Sequence, residues 1–414
     1  MIIYRLIIYI IFFFSPLIIV FRLIKNKEHP KRFREKLGIF SQKKRQGKLI
    51  WIHGSSVGEV LSVIPLIEKL EKSKNIKQIL LTSNTLSSSK VLNKFKLKKT
   101  IHQFFPIDIG FINKKFLNYW KPDVAIFIES EIWPNMILNI KQNNVPLILL
   151  NARITKKSFF RWKKVNFFSK SIFNKFNLCL AQNSETMNYL KKLGANNIKK
   201  IGNLKFSYSS SEFKNKLNSK IKKIFRKKKI IFLAISTHNN EELFCGKVHN
   251  NLKKKYKNII SIIIPRHIDR ANEIKEDLNS NNLKVHLHTS NRPIKKNTDI
   301  YLVDTFGETK QFLKLSKITF MGKSIYAHGG QNPLEAARLG NRIIHGPNIE
   351  NFVEVYDFLK KHGISTKINS SKGLENLIIR LNRKKSYSKQ IIKKLSYTGN
   401  QILLNNENEI NKYF

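Results

Sequence analysis

Cysteine is almost absent: the 414 residues hold two, Cys179 and Cys245. They stand far apart and outside any metal-ligand spacing, which excludes a disulfide framework or a zinc site and fits a reducing compartment. Acidic residues are scarce as well, 27 against 77 Lys and Arg, for a formal charge of +50. Such an excess permits anionic partners. It does not diagnose one, because Lys, Asn and Ile crowd ordinary loops too, as compositional drift toward AT-rich codons would produce. Neither Gly-x-Gly-x-x-Gly nor a P-loop occurs, which disfavours a dehydrogenase or a P-loop ATPase. No helix-turn-helix spacing, aromatic RNP stripe or zinc knuckle occurs either, so nucleic acid is not an expected partner.

What is present begins with an apolar N-terminus. Leu6 to Phe21 is interrupted only by Ser15 and Pro16. At ~1.5 Å per residue it reaches about 24 Å, short of a ~30 Å hydrocarbon core. Met1 to Phe21 spans if Arg5 snorkels; otherwise the segment is embedded in one leaflet. No small-x-small cleavage site follows, which argues against a signal peptide. Lys25, Lys27, Lys31, Arg32, Arg34 and Lys36 crowd the C-terminal flank, so the rest of the chain is expected on the cytoplasmic side of an anionic membrane surface. Residues 1–24 are therefore read as a membrane anchor.

From residue 48 onward, short apolar runs alternate with helical stretches, the pattern of parallel sheets covered by helices. Strands are expected at 48–53, 77–82, 101–105, 123–128, 145–150, 177–181 and 198–202, with helices such as 57–72, 110–120, 134–143 and 184–193 between them. A polar stretch, 207–226, reads as a linker. A second series starts at Lys229 and continues through 258–264, 299–303, 317–321 and 341–345. The expected architecture is α/β: two Rossmann-like parallel-sheet domains, 25–206 and 227–385, facing a central cleft, then a helical segment 386–414. Ligands prefer such clefts and the carboxyl ends of strands.

Glu59 is the first candidate. Ser55-Ser56-Val57-Gly58-Glu59 follows the apolar run Leu49–Ile52, so a carboxylate sits in the first turn of a helix leaving a strand end. The helix dipole there favours its ionised form, and an ionised carboxylate can take a proton from a hydroxyl. Satisfying free backbone N–H groups is the commoner use of such a residue. In the second half, Pro265-Arg266-His267, Asp304-Thr305-Phe306-Gly307-Glu308 and His328-Gly329-Gly330-Gln331-Asn332-Pro333-Leu334-Glu335 are successive turns at strand ends. An Arg fork suits phosphate or carboxylate, paired glycines let backbone approach a ligand, and Glu335 can accept from ribose hydroxyls. Together they outline a nucleotide pocket.

These segments resemble a known family. Ser56-Val57-Gly58-Glu59, Glu129-Ser130-Glu131-Ile132-Trp133-Pro134-Asn135, Asn151-Ala152-Arg153, Gly202-Asn203-Leu204-Lys205-Phe206, Ser236-Thr237-His238, Pro265-Arg266 and Gly329-Gly330-Gln331-Asn332-Pro333-Leu334-Glu335 are similar, in order, to the 3-deoxy-D-manno-octulosonic acid (Kdo) transferases of lipid A assembly. The resemblance implies a GT-B fold and an inverting, metal-independent transfer of Kdo from CMP-Kdo to lipid IVA, with no cofactor, at the cytoplasmic face of a bacterial inner membrane. It implies Glu59 as base, with Glu129 and Lys205 stabilising the transition state. Pro265, Arg266, Phe306, Gly307, Glu308, Asn332, Pro333, Leu334 and Glu335 match CMP contacts, and Ser56, Gly58, Glu131, Arg153, Gly329 and Gly330 are further candidates. Two carboxylates two apart on an extended segment point to opposite sides, so Glu129 is preferred for the cleft and Glu131 is taken as a helix-start residue. The chain departs from the family where Lys323 replaces a glycine, Ile235 another, Asn203 a Ser and Ser207 a frequent Asp. Rival readings are a GT-B enzyme using a UDP-sugar and a membrane-tethered nucleic-acid-binding protein.

Overall fold

The computed structural model describes residues 2–207, 219–228, 230–382 and 389–414. It divides into two compact units, Met1–Glu212 with Tyr397–Phe414, and Phe213–Ser396.

The first unit carries seven strands: β1 (Lys48–His53), β2 (Ile76–Ser83), β3 (Thr100–Phe104), β4 (Val124–Ile128), β5 (Leu147–Ala152), β6 (Leu178–Ala181) and β7 (Ile198–Lys200). They pair in the order β3-β2-β1-β4-β5-β6-β7, every pair parallel. Strands β4 and β5 are buried along their whole length, as near-continuous Val, Ile and Leu runs require in a sheet covered on both faces. Trp51, Phe116, Trp120 and Phe127 pack from strands and helices into one core. The order reverses between β1 and β4, the topological switch point where open α/β sheets hold ligands.

The second unit repeats the plan with β8 (Ile230–Thr237), β9 (Ile259–Pro265), β10 (Val285–Leu287), β11 (Ile300–Leu302), β12 (Ile318–Met321), β13 (Arg342–His345) and β14 (Ser365–Lys367). Its order is β10-β11-β9-β8-β12-β13-β14, again all parallel. The switch point falls between β8 and β12. A separate core around Phe232, Phe244 and Phe320 packs this unit.

The structure adds several features to the sequence reading. The apolar N-terminus is not one rod: Ile2–Phe13 and Ser15–Ile24 are two helices bent by 51° at Phe14, next to the helix-breaking Pro16. No single described helix is long and apolar enough to cross a membrane, although the bent pair passes the same test together. Within the expected linker 207–226, Ser219–Arg226 forms a helix, and its buried Phe225 packs edge-on against Tyr301 within the second unit. Residues 208–218 of that linker, the strand start at Lys229 and the 385/386 boundary lie outside the described residues. The helix Lys389–Ile410 returns to the first unit from Tyr397 onward, where Lys69–Glu407 (2.7 Å) and Lys199–Glu409 (2.8 Å) pin it. The short edge strands β10 and β14 were not anticipated, being three residues each and only partly buried.

Candidate active site

Four non-glycine residues adopt left-handed backbone at the carboxyl ends of strands: Glu129 (φ +57°) after β4, Asn151 (φ +52°) in β5, Ser236 (φ +55°) in β8 and Lys323 (φ +57°) after β12. Each such residue costs on the order of 1 kcal/mol and persists where its surroundings over-determine it, often at ligand sites. Glu129, Ser236 and Lys323 lie on strands that flank the two switch points, and Asn151 lies on β5, beside β4.

In the first unit, Ser56 caps the helix Val57–Leu70. Its hydroxyl accepts from the Glu59 N–H (3.3 Å), and the Glu59 carboxylate accepts from the Ser56 N–H (3.2 Å), a complete capping box. The modest reading of Glu59 thus holds, yet the carboxylate does more than cap. Burial first, then the charges of Glu131 and Glu129, push its pKa from 4.5 up to about 7, against the bonds from Ser56 and Ser55. The expectation that the helix terminus keeps Glu59 ionised is therefore corrected: desolvation and two carboxylates outweigh the dipole. Gly58 lies beside it, where an added Cβ would make only an ordinary contact with Ser56 Oγ at 3.9 Å.

Glu131 is not a helix-start residue. The following helix begins at Pro134 with Trp133 at its cap position. The carboxylate of Glu131 instead accepts from Trp133 Nε1 (2.8 Å) and Ser55 Oγ and meets His53 Nε2 at 3.1 Å. Fully buried His53 reaches Thr82 through its other ring nitrogen, and Asn84 donates to Ser55 Oγ. Burial disfavours the Glu131 charge, but the bonds from His53, Ser55 and Trp133 outweigh it and hold the carboxyl below its usual value. The opposite-faces rule failed because Glu129 is left-handed, so the segment is not extended. Both carboxylates consequently act on Glu59.

Glu129 is buried and its Oε1 lies 2.6 Å from Lys205 Nζ. Lys205 is placed by a short 3-10 turn, Leu204–Phe206, capped by Asn203, whose Oδ1 accepts from the Lys205 N–H at 2.9 Å. Asn151 Oδ1 takes the Leu204 N–H (2.9 Å), and Gln182 ties Asn203 to Asn151. Asn203, a departure from the family pattern, thus does a capping residue's work. Arg153 joins through its backbone, donating to the Glu129 carbonyl at 3.1 Å. Sequence reasoning missed His53, Ser55 and Asn84, because nothing local marks a partnership with a residue 78 positions away.

In the second unit, Pro265 ends β9, and the Arg266 N–H donates to the Thr237 carbonyl (3.0 Å) while its side chain is exposed. Phe306 is exposed, Gly307 has φ +92° with open space, and Glu308 is held by Thr305 and by His288 Nε2 at 2.8 Å. Asn332 Oδ1 accepts from the Leu334 N–H (3.0 Å), and Glu335 is exposed in the first turn of the short helix that follows Pro333. Gly329 and Gly330 both have positive φ, but the room they leave is filled by Asn351 and by Ile349 and Asn348. The close approach they allow is to the chain itself. Missed altogether was Glu241, fully buried, which accepts from the N–H groups of His238, Lys323, Ser324 and Ile325.

Two seven-stranded parallel units, with the candidate residues at their strand ends, define an α/β fold of the GT-B type. Solved structures share that fold at low identity. A putative UDP-N-acetylglucosamine 2-epimerase from Listeria monocytogenes aligns with TM-score 0.59 and 13% identity over 88% of this chain and 97% of that one. The glycosyltransferase of kitacinnamycin aligns with TM-score 0.53 and 11% identity over 89% and 99%. The family model for 3-deoxy-D-manno-octulosonic-acid transferase matches residues 31–208. A 3-deoxy-D-manno-octulosonic acid transferase of Rickettsia bellii is 34% identical over 87% of this chain and 86% of its own length. That of Haemophilus influenzae is 28% identical over 96% and 94%. The chain belongs to the Kdo transferase family and is a glycosyltransferase.

Proposed function

We propose that the protein transfers Kdo from CMP-Kdo to lipid IVA, with inversion and without a metal ion. The observation that carries this reading is the cluster at the first switch point: Glu59 with its pKa raised to about 7, beside Glu131 and the Glu129–Lys205 pair. A sugar hydroxyl must shed its proton as its oxygen bonds to the anomeric carbon, and a base poised near the working pH does this best. Glu59 accepts that proton. As the new C–O bond forms, the bond from the anomeric carbon to the phosphate oxygen breaks and CMP leaves with the electron pair. Lys205, fixed by its pairing with Glu129, supplies positive charge for the developing anion at no cost in reorganisation. Arg266, Phe306, Gly307, Glu308 and Asn332 to Glu335 hold the CMP portion.

The bent N-terminal helices are the membrane anchor in this reading, with the catalytic units on the cytoplasmic face of a bacterial inner membrane. Supporting it, Ile2, Ile3, Phe13, Leu17 and Ile24 are each at least 70% exposed, an apolar surface that lipid would cover. Lys25, Lys27, Lys31, Arg32 and Arg34 would meet anionic headgroups. The test is CMP release from CMP-Kdo in the presence and absence of lipid IVA, beside thermal shifts with CMP and UDP. Acceptor-dependent CMP release and a shift with CMP support the reading; a shift with UDP alone, and no release, supports a UDP-sugar enzyme instead.

A further inference from the structure

The second switch point contains a residue to which the transfer reaction assigns no role. Lys323 stands where the family usually has glycine, in left-handed backbone that a lysine adopts at a cost. Its place is tightly determined. A Cβ on the preceding Gly322 would lie 2.3 Å from the Ser236 carbonyl oxygen, so the ends of β12 and β8 are packed backbone to backbone. One oxygen of the buried Glu241 carboxylate accepts from both the Lys323 N–H (2.6 Å) and the His238 N–H (2.9 Å). Lys323 and His238 are thereby neighbours across the switch point. His267 joins from the end of β9, its ring edge-on to His238 at 5.6 Å between centroids, and Arg266 precedes it.

The charge balance of this corner is lopsided. Burial disfavours the charged form of His238; the charge of Glu241 opposes this, while Lys323, His267 and Arg266 all add to it. The nearby carboxylates are already engaged: Glu241 by four N–H groups, Glu242 by Arg270 at 3.5 Å, and Glu350 by Gly329 and His328. His238 Nε2 is buried and has no hydrogen-bond partner. Such groups ordinarily find one. An anion between β8, β9 and β12 would supply it.

We propose that Lys323, with Arg266 and His238, forms an anion subsite at the second switch point that takes the phosphate of the nucleotide donor. This rests on the reading of the chain as a nucleotide-sugar transferase and adds Lys323 as a residue that sets donor affinity. The lysine replaces the backbone approach that glycine allows with a point charge.

The test uses the full-length protein and calorimetric titration with CMP, UMP, cytidine and inorganic phosphate. Lys323→Gly removes the ammonium and relieves the left-handed strain, so folding is safe; Lys323→Arg keeps the charge. The expected result is a loss of CMP affinity on the order of tenfold in Lys323→Gly, as for a lost charge-assisted contact. Cytidine affinity stays within about twofold, since it carries no phosphate, and Lys323→Arg recovers most of the loss. Lys323→Gly that binds CMP as well as the parent, or loses cytidine equally, overturns the subsite. If the parent binds UMP but not CMP, and Lys323→Gly loses UMP affinity alone, the subsite stands and the CMP-Kdo reading falls. If the parent binds neither nucleotide nor phosphate, both fall.

Discussion

Replacing Glu131 by Gln should move the pH at which the enzyme becomes active. Glu59 titrates at about 7 because it is desolvated and because Glu131 and Glu129 repel its charge. Glu131 is itself kept ionised by His53, Ser55 and Trp133, so its charge is present throughout the working range. A partly screened like-charge contact is worth on the order of 1.4 kcal/mol, or about one pH unit. In Glu131→Gln burial and Glu129 remain, and the midpoint should fall from about 7 to about 6. A base must be ionised to act, so kcat/KM in the parent rises with pH through about 7 and levels off above it. The assay is kcat/KM between pH 5 and 9 with saturating acceptor. The amide disturbs the bonds from His53 and Ser55, so the plateau itself should drop; the midpoint is the diagnostic quantity. A midpoint unmoved in the variant, or a parent profile flat between 6 and 8, would refute the coupling of these carboxylates.

Three further outcomes follow from the same geometry. Glu59→Gln keeps the capping box, since Gln serves there too, but cannot take a proton, so turnover should fall by ~10²–10⁴-fold. Because the folded-state pKa is raised above 4.5, the native protein binds more protons than the unfolded chain between 4.5 and about 7, and Glu59 costs stability above that window. The Gln variant should therefore melt a few degrees higher at pH 8 and unchanged at pH 4, as differential scanning calorimetry can check; equal or lower melting at pH 8 would contradict the shift. Lys205→Met leaves the buried Glu129 unpaired and should cost roughly 3–5 kcal/mol in denaturant unfolding. Adding Glu129→Gln should restore stability without restoring activity, and a double variant as unstable as the single would count against the pair. Deleting residues 1–24 removes the Tyr4 hydroxyl bond to Asp108 (2.6 Å), the Arg5 bond to Asn135 (3.3 Å) and the Arg22–Glu28 pair (2.8 Å), but leaves Asp108 its bonds from Asn113, Asn135 and Met136 and Glu28 its pair with Lys36. The truncated protein should stay folded by circular dichroism, roughly 2–4 kcal/mol less stable, and release from membranes; an unfolded product would make the segment part of the core.

The sheet order could not be read from the chain, but the strands could. Long buried runs such as Ile259–Pro265 identify themselves by composition, whereas β10 and β14 are too short and too polar to do so. The same contrast holds at the site. Glu59 was legible because a local signal, a Ser three residues before a Glu at a strand end, marks a helix start. Glu131 was misjudged because its role depends on one left-handed backbone angle at Glu129, which the sequence does not display. His53 and Glu241 were invisible for a related reason: each is an ordinary polar residue whose partners are brought to it by strand pairing or by the close packing of β8 on β12. The raised pKa of Glu59 was hidden for the same cause, being the product of burial and of two carboxylates from another strand end.

The most direct test is mass spectrometry of lipid IVA incubated with CMP-Kdo and the full-length protein, with Glu59→Gln run in parallel. Kdo added to the acceptor by the parent and none above background by the variant is the expected result. An acceptor left unmodified by the parent, or modified equally by both, would contradict the claim that this chain is a Kdo transferase acting through Glu59.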